Sequence, residues 1–100
     1  MTIYALSSGP GLSGIAVIRV SGPETKNLIR SITGDEPPKA RLATLKKFNK
    51  FKSNELIDEG ILIWFPGPNS YTGEDMAELH VHGSRAVVEA LHNTFSMVGN

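Results

Sequence analysis

Hydrophobic positions in this 100-residue chain follow two periods, alternation along some stretches and three-to-four spacing along others. Thr2 to Leu6 and Gly14 to Val20 read as strands. In the second, Ile15, Val17 and Arg19 alternate with Ala16, Ile18 and Val20. Ser21-Gly22-Pro23-Glu24 then predicts a helix start, because Ser21 and Glu24 have capping-box spacing and Pro23 falls in the first turn. Leu28, Ile29 and Ile32 give that helix its apolar stripe, and Gly34 its stop. Asp35 to Lys39, with Pro37-Pro38, is a loop. Arg41 to Phe51 alternates weakly, as an edge strand does, and Ser53-Asn54 turns the chain into Leu56 to Phe65. There Ile61, Ile63 and Phe65 share one side and Leu62 and Trp64 the other, which predicts an interior strand covered on both faces. Pro66 to Ser70 breaks it. Asp75 to His82 is a further strand, and Ser84 caps a helix reaching Val98. Val87, Val88, Leu91 and Phe95 are its buried stripe and Gly99 its stop.

The predicted order is β-β-α-β-β-β-α. Strands and helices mixed in this way give an α+β fold, with two helices packed on a mixed, largely antiparallel sheet. One more strand after the second helix would complete a ferredoxin-like count. The expectation is therefore a ferredoxin-like sheet whose last strand is missing, in a single domain spanning residues 1–100 of a longer protein.

Composition changes this picture little. With 40% hydrophobic and 20% charged residues and a formal net charge of zero, the chain reads as globular, and neither disordered nor coated in positive charge. It has no cysteine, which removes disulfide and thiolate chemistry and suits a reducing cytoplasm. No leader or membrane-spanning stretch is visible in its first residues. The charge is split, however. Lys39 to Lys52 holds six Lys or Arg and no acid, while Ser53 to Ser84 holds six Asp or Glu and no Lys or Arg. Two neighbouring strands attracting one another explain that split more simply than a tRNA-facing side does.

Candidate chemistry begins with a misleading spelling. Gly9, Gly11 and Gly14 form G-x-G-x-x-G, yet the residues that follow are β-branched and Pro10 removes a donor. A phosphate cradle needs a helix there, so a turn between strands is expected. Arg19 shares a strand face with Ile15 and Val17 and must find an anion or water. Met76, Glu78, His80 and His82 share a face of their own strand, which marks either a solvated side or a lined pocket. The carboxylate of Glu78 could read a donor-rich edge such as that of a guanine or pterin, or could simply pair with Arg19. His80-x-His82 lacks the third ligand that a zinc site needs, and His92 reads as a helix-surface histidine. No metal site and no catalytic residue is expected. Ser70, Tyr71 and Thr72 read as turn residues.

Taken together, GIAVIRVSGP and DEGILIWFPGPNSYTGEDMAELHVHG resemble the N-terminal domain of the tRNA-modification GTPase family MnmE/TrmE. The family patterns are G-G-I-x-I-x-R-[VI]-S-G and F-P-x-P-x-S-[FY]-T-G-E-D-x-x-E-x-x-x-H-G-[GS]. The resemblance covers essentially the whole chain and departs at Leu12-Ser13 and Val81. It implies a domain that binds a tetrahydrofolate derivative, 5-formyl- or 5,10-methylene-, and forms a homodimer. Arg19 and Glu78 match the family's cofactor-binding arginine and glutamate, and a further lysine contact lies beyond residue 100. His82 matches the family histidine. The parent protein, a GTP hydrolase using potassium and magnesium in a separate domain, works with the flavoprotein MnmG/GidA on carbon 5 of the tRNA wobble uridine. By this resemblance the domain alone catalyses nothing. The alternative is a dimerisation or partner-docking module without ligand affinity.

Overall fold

In the computed structural model, which describes residues 2–6 and 14–98, the seven elements follow in the predicted order. They are β1 (Ile3–Leu6), β2 (Ile15–Ser21), α1 (Thr25–Thr33), β3 (Thr44–Asn49), β4 (Leu56–Phe65), β5 (Met76–His82) and α2 (Arg85–Met97). The strands form one sheet ordered β1-β2-β5-β4-β3, with every neighbouring pair antiparallel. β3, β4 and β5 run as a meander, and β5 then closes against β2. The fold is α+β as expected. The ferredoxin-like type goes beyond what this order establishes.

Register explains how alternation becomes two chemically distinct faces. Ile18 lies opposite Leu79, and Leu79 opposite Leu62; one residue along, Arg19 lies opposite Glu78, and Glu78 opposite Ile63. Since successive side chains point to opposite faces, the first row is entirely apolar and the second is not. The apolar rows join Leu28, Ile29 and Ile32 of α1 and Leu91 and Phe95 of α2 in one core, so both helices cover the same face. Ile18, Ile29, Ile32, Leu62, Leu79 and Leu91 are wholly buried there. Each such side chain contributes about 1.5–3 kcal/mol of burial.

Four expectations are corrected. β4 is interior, but among the described residues no helix covers the Ile61, Ile63 and Phe65 side, where these side chains stay half-buried. The capping box at Ser21 and Glu24 does not form, because Ser21 ends β2 opposite Met76 and bonds Thr72 instead. The start of α1 is held differently: Glu24 N–H donates to Thr2 Oγ1 at 2.7 Å, and the buried Thr25 hydroxyl is within bonding reach of the Gly22 and Asp75 carbonyls. His92 is no surface histidine. Its ring packs 5.5 Å from Tyr4, and its Nε2 is buried without a hydrogen-bond partner. Finally, β3 is shorter than the stretch from Arg41 to Phe51, because Arg41 takes a positive φ of 63° before the strand and Lys50 lies beyond it.

Other expectations hold. Gly34 ends α1 in the left-handed conformation, and Ser84 Oγ accepts from Val87 N–H at the start of α2. β3 is an edge strand. Its basic residues meet the acidic run as proposed: Lys47 lies opposite Glu59, and Lys50 pairs with Glu55. Strand β2, not a helix, follows Gly14; Gly9, Gly11 and the stop at Gly99 lie outside the described residues.

Candidate functional site

The helix-free face of the sheet carries the polar residues that alternation separated from the core. Arg19 Nε donates to Glu78 Oε2 at 2.8 Å across the β2–β5 ladder. His80 lies two residues further along β5, so its ring falls on the same side, with Nε2 3.1 Å from Glu78 Oε1. Burial by itself would push the Glu78 carboxyl up. Hydrogen bonds from His80 and Arg19 outweigh it, and the pKa lies below its ordinary value. The carboxylate is therefore ionised and acceptor-only at neutral pH, which assigns the hydrogen of His80 to Nε2. A carboxylate has about four lone-pair positions, so two remain for a ligand. With 17% of the Glu78 side chain exposed, the group is recessed yet reachable.

His82 is engaged elsewhere. Asp58, near the start of β4, accepts from the His82 backbone N–H at 2.8 Å and lies 2.9 Å from its Nδ1. Burial would raise the Asp58 carboxyl, but these bonds and the Glu59 N–H hold it below its ordinary value. The two histidines of H-x-H thus face different carboxylates. Among the described residues no group of three His, Asp or Glu side chains is placed to hold a metal ion.

Arg19 and Glu78 stand on the wall of a cleft of about 540 Å³, completed by Arg41, Phe65, Met76 and the loop residues Asn69, Ser70 and Tyr71. That volume lies within the range of small-molecule sites. The loop after β4 is tied in place at several points. Gly67 N–H donates to Asp75 Oδ1 at 2.9 Å, Ser70 Oγ donates to the Glu74 carbonyl, and Thr72 Oγ1 lies 2.8 Å from Ser21 Oγ. Arg41 Nη2 donates to the Asn69 carbonyl, and its guanidinium carbon lies 5.7 Å from the centre of the Phe65 ring. Tyr71, 89% exposed, stands at the rim. A recessed carboxylate, two guanidinium groups and two aromatic rings together suit a flat heterocycle that carries an anionic group.

Sequence reasoning found Arg19 and Glu78, and the fold brings them together. Ser70 and Thr72 do the turn work expected of them, while Tyr71 belongs to the cleft. Arg41 and Phe65 were missed as site residues. Phe65 begins the long family run, a usable signal; Arg41 was hidden inside a basic stretch.

Comparison with known proteins finds relatives along the whole chain. Residues 2–99 match the family described as GTP-binding protein TrmE N-terminus. The chain is 62% identical over 100 residues to the tRNA modification GTPase MnmE of Pelagibacter ubique, covering 100% of this chain and 23% of that protein. It is 49% identical over 104 residues to the mitochondrial tRNA modification GTPase gtpbp3 of Dictyostelium discoideum, covering 98% and 20%. A third relative is the mitochondrial 5-taurinomethyluridine-[tRNA] synthase subunit GTPB3 of Danio rerio, 49% identical over 90 residues, with 90% and 18% covered. The chain spans about a fifth of the length of these curated relatives.

Proposed function

This chain belongs to the GTP-binding protein TrmE N-terminal family, whose relatives include tRNA modification GTPases, and on that premise we propose that its cleft binds a tetrahydrofolate derivative. The observation that carries the reading is the Arg19–Glu78 pair, 2.8 Å apart on one wall of a small-molecule-sized cleft flanked by Phe65 and Tyr71. The remaining lone pairs of Glu78 accept from the amidine-like edge of the pterin, and Arg19, held by Glu78, helps orient the ring. Phe65 and Tyr71 offer faces for stacking. A 5-formyl- or 5,10-methylene-tetrahydrofolate bound there would supply a one-carbon unit. This domain's own residues bind and orient it.

The proposal extends to the whole protein of which this chain covers a part. That protein hydrolyses GTP in a separate domain that uses potassium and magnesium. It forms a homodimer through this domain and acts with the flavoprotein MnmG/GidA in the cytoplasm to modify carbon 5 of the tRNA wobble uridine. Within the described residues, no helix is long and apolar enough to cross a membrane. One observation favours a second reading, of a docking or dimerisation module alone: Ile61, Ile63 and Phe65 line a sheet face on which no described helix lies.

Isothermal titration of the full-length protein with 5-formyl-tetrahydrofolate separates the readings. Arg19→Ala and Glu78→Gln are each expected to weaken binding at least tenfold, as loss of a charge-assisted hydrogen bond does. Unchanged affinity in both variants removes the assignment, and absence of binding by the wild type leaves the docking module.

A further inference from the structure

Two guanidinium groups line the cleft, and they are not equivalent. Arg19 meets Glu78, so its charge is balanced within the protein. Arg41 has no carboxylate within ion-pair distance among the described residues. Its Nη2 donates to a neutral acceptor, the Asn69 carbonyl, and its other near neighbour is the ring of Phe65. Neither cancels a full positive charge. A guanidinium has five N–H donors in a fixed fork, and among the described residues only one is committed, so a bidentate edge remains for a ligand.

The backbone fixes where this cation stands. Arg41 adopts a φ of 63°, in the left-handed region that non-glycine residues seldom occupy. Its N–H donates to the Trp64 carbonyl at 2.8 Å, which anchors the residue to the end of β4 beside Phe65. The side chain is thereby set on the cleft wall against the loop of Asn69, Ser70 and Tyr71, whose Asn69 carbonyl it reaches.

We propose that Arg41 receives the anionic end of the ligand, a carboxylate, while the Arg19–Glu78 pair engages its flat ring; this rests on the reading of the cleft as a tetrahydrofolate site. The cleft then discriminates by charge at one end and by hydrogen-bond pattern at the other. Arg41 is a binding and specificity residue and takes no part in bond making.

The test compares two ligands that differ only at the anionic end: 5-formyl-tetrahydrofolate, and the corresponding tetrahydropteroate in its primary amide form, which lacks the glutamate moiety and every carboxylate. Affinities are measured by calorimetry on the full-length protein, as wild type, Arg41→Ala and Arg41→Lys. The wild type is expected to bind the glutamate-bearing ligand more tightly. Arg41→Ala should weaken that ligand roughly tenfold and the pteroate amide less than twofold, abolishing the difference, while Arg41→Lys keeps part of it. If both ligands weaken together in Arg41→Ala, the residue only holds the Asn69 loop, and the inference fails. It fails equally if Arg41→Ala keeps the full preference, or if the wild type binds the two ligands alike. A wild type that binds neither overturns the tetrahydrofolate reading itself, and this inference with it.

Discussion

The two faces of this sheet are made from alternate residues of the same strands and held by unlike forces. On the helix-covered face Ile18, Leu79 and Leu62 form a cross-strand row with no exposure at all. One residue along, Arg19, Glu78 and Ile63 form the neighbouring row, and the Arg19 side chain is 52% exposed. Burial of apolar area dominates the first row, whereas an ion pair that open to water contributes under about 1 kcal/mol. The buried core and the polar lining of the cleft are thus separated by a single step along β2 and β5. A substitution on one face should change what the other leaves untouched.

The largest expected effect is on the covered face. Leu79→Ala should cost about 3 kcal/mol in urea unfolding, while Arg19→Ala costs less than about 1 kcal/mol and instead weakens the ligand. Equal stability losses in the two variants would break the contrast. A smaller but still large effect is expected at Gly60, where β4 leaves no room for a side chain beside β5. A Cβ at Gly60 would overlap the backbone carbonyl oxygen of His80, so Gly60→Ala should cost about 2 kcal/mol and disturb the start of the β4–β5 ladder. Unaltered stability there would show that β4 can shift relative to β5 without loss. The smallest effect belongs to two carboxylates, Glu78 on the open face and Asp58 beside His82. Glu78 and Asp58 hold protons less readily when folded, so they favour the folded state above the ordinary carboxylate range. That contribution disappears as the pH falls through their lowered values. Urea midpoints measured from neutral pH downward should fall less steeply in Glu78→Gln than in the wild type. Parallel curves would mean that the carboxylate does not feel Arg19 and His80.

Much of this was legible because β2 and β5 alternate strictly, so the face of each side chain follows from its number. That Arg19 meets Glu78 was readable as a possibility only. The pairing depends on β5 crossing back to β2, 59 residues away, and nothing local specifies that return. Ser21 misled for a related reason: its capping-box spacing is a local signal, and a strand neighbour together with Thr72 outcompeted it. The apolar residues on both sides of β4 were read as burial on both sides. Ile61, Ile63 and Phe65 instead line an open face whose aromatic member serves the cleft. Arg41 could not be singled out, because its place on the cleft wall depends on a backbone bond to Trp64, 23 residues away, that no periodicity encodes. His92 shows the same limit, being tucked against Tyr4 of the opposite chain end.

Among the described strands β5 comes last along the chain, yet it occupies the middle of the sheet between β2 and β4. On a translating ribosome, a nascent chain that stops short of Met76 holds two unconnected hairpins, β1–β2 and β3–β4. Neither can bond to the other until the keystone strand emerges. The same strand delivers Glu78 and Met76, so this cleft cannot exist, even in outline, before β5 has joined β2 and β4.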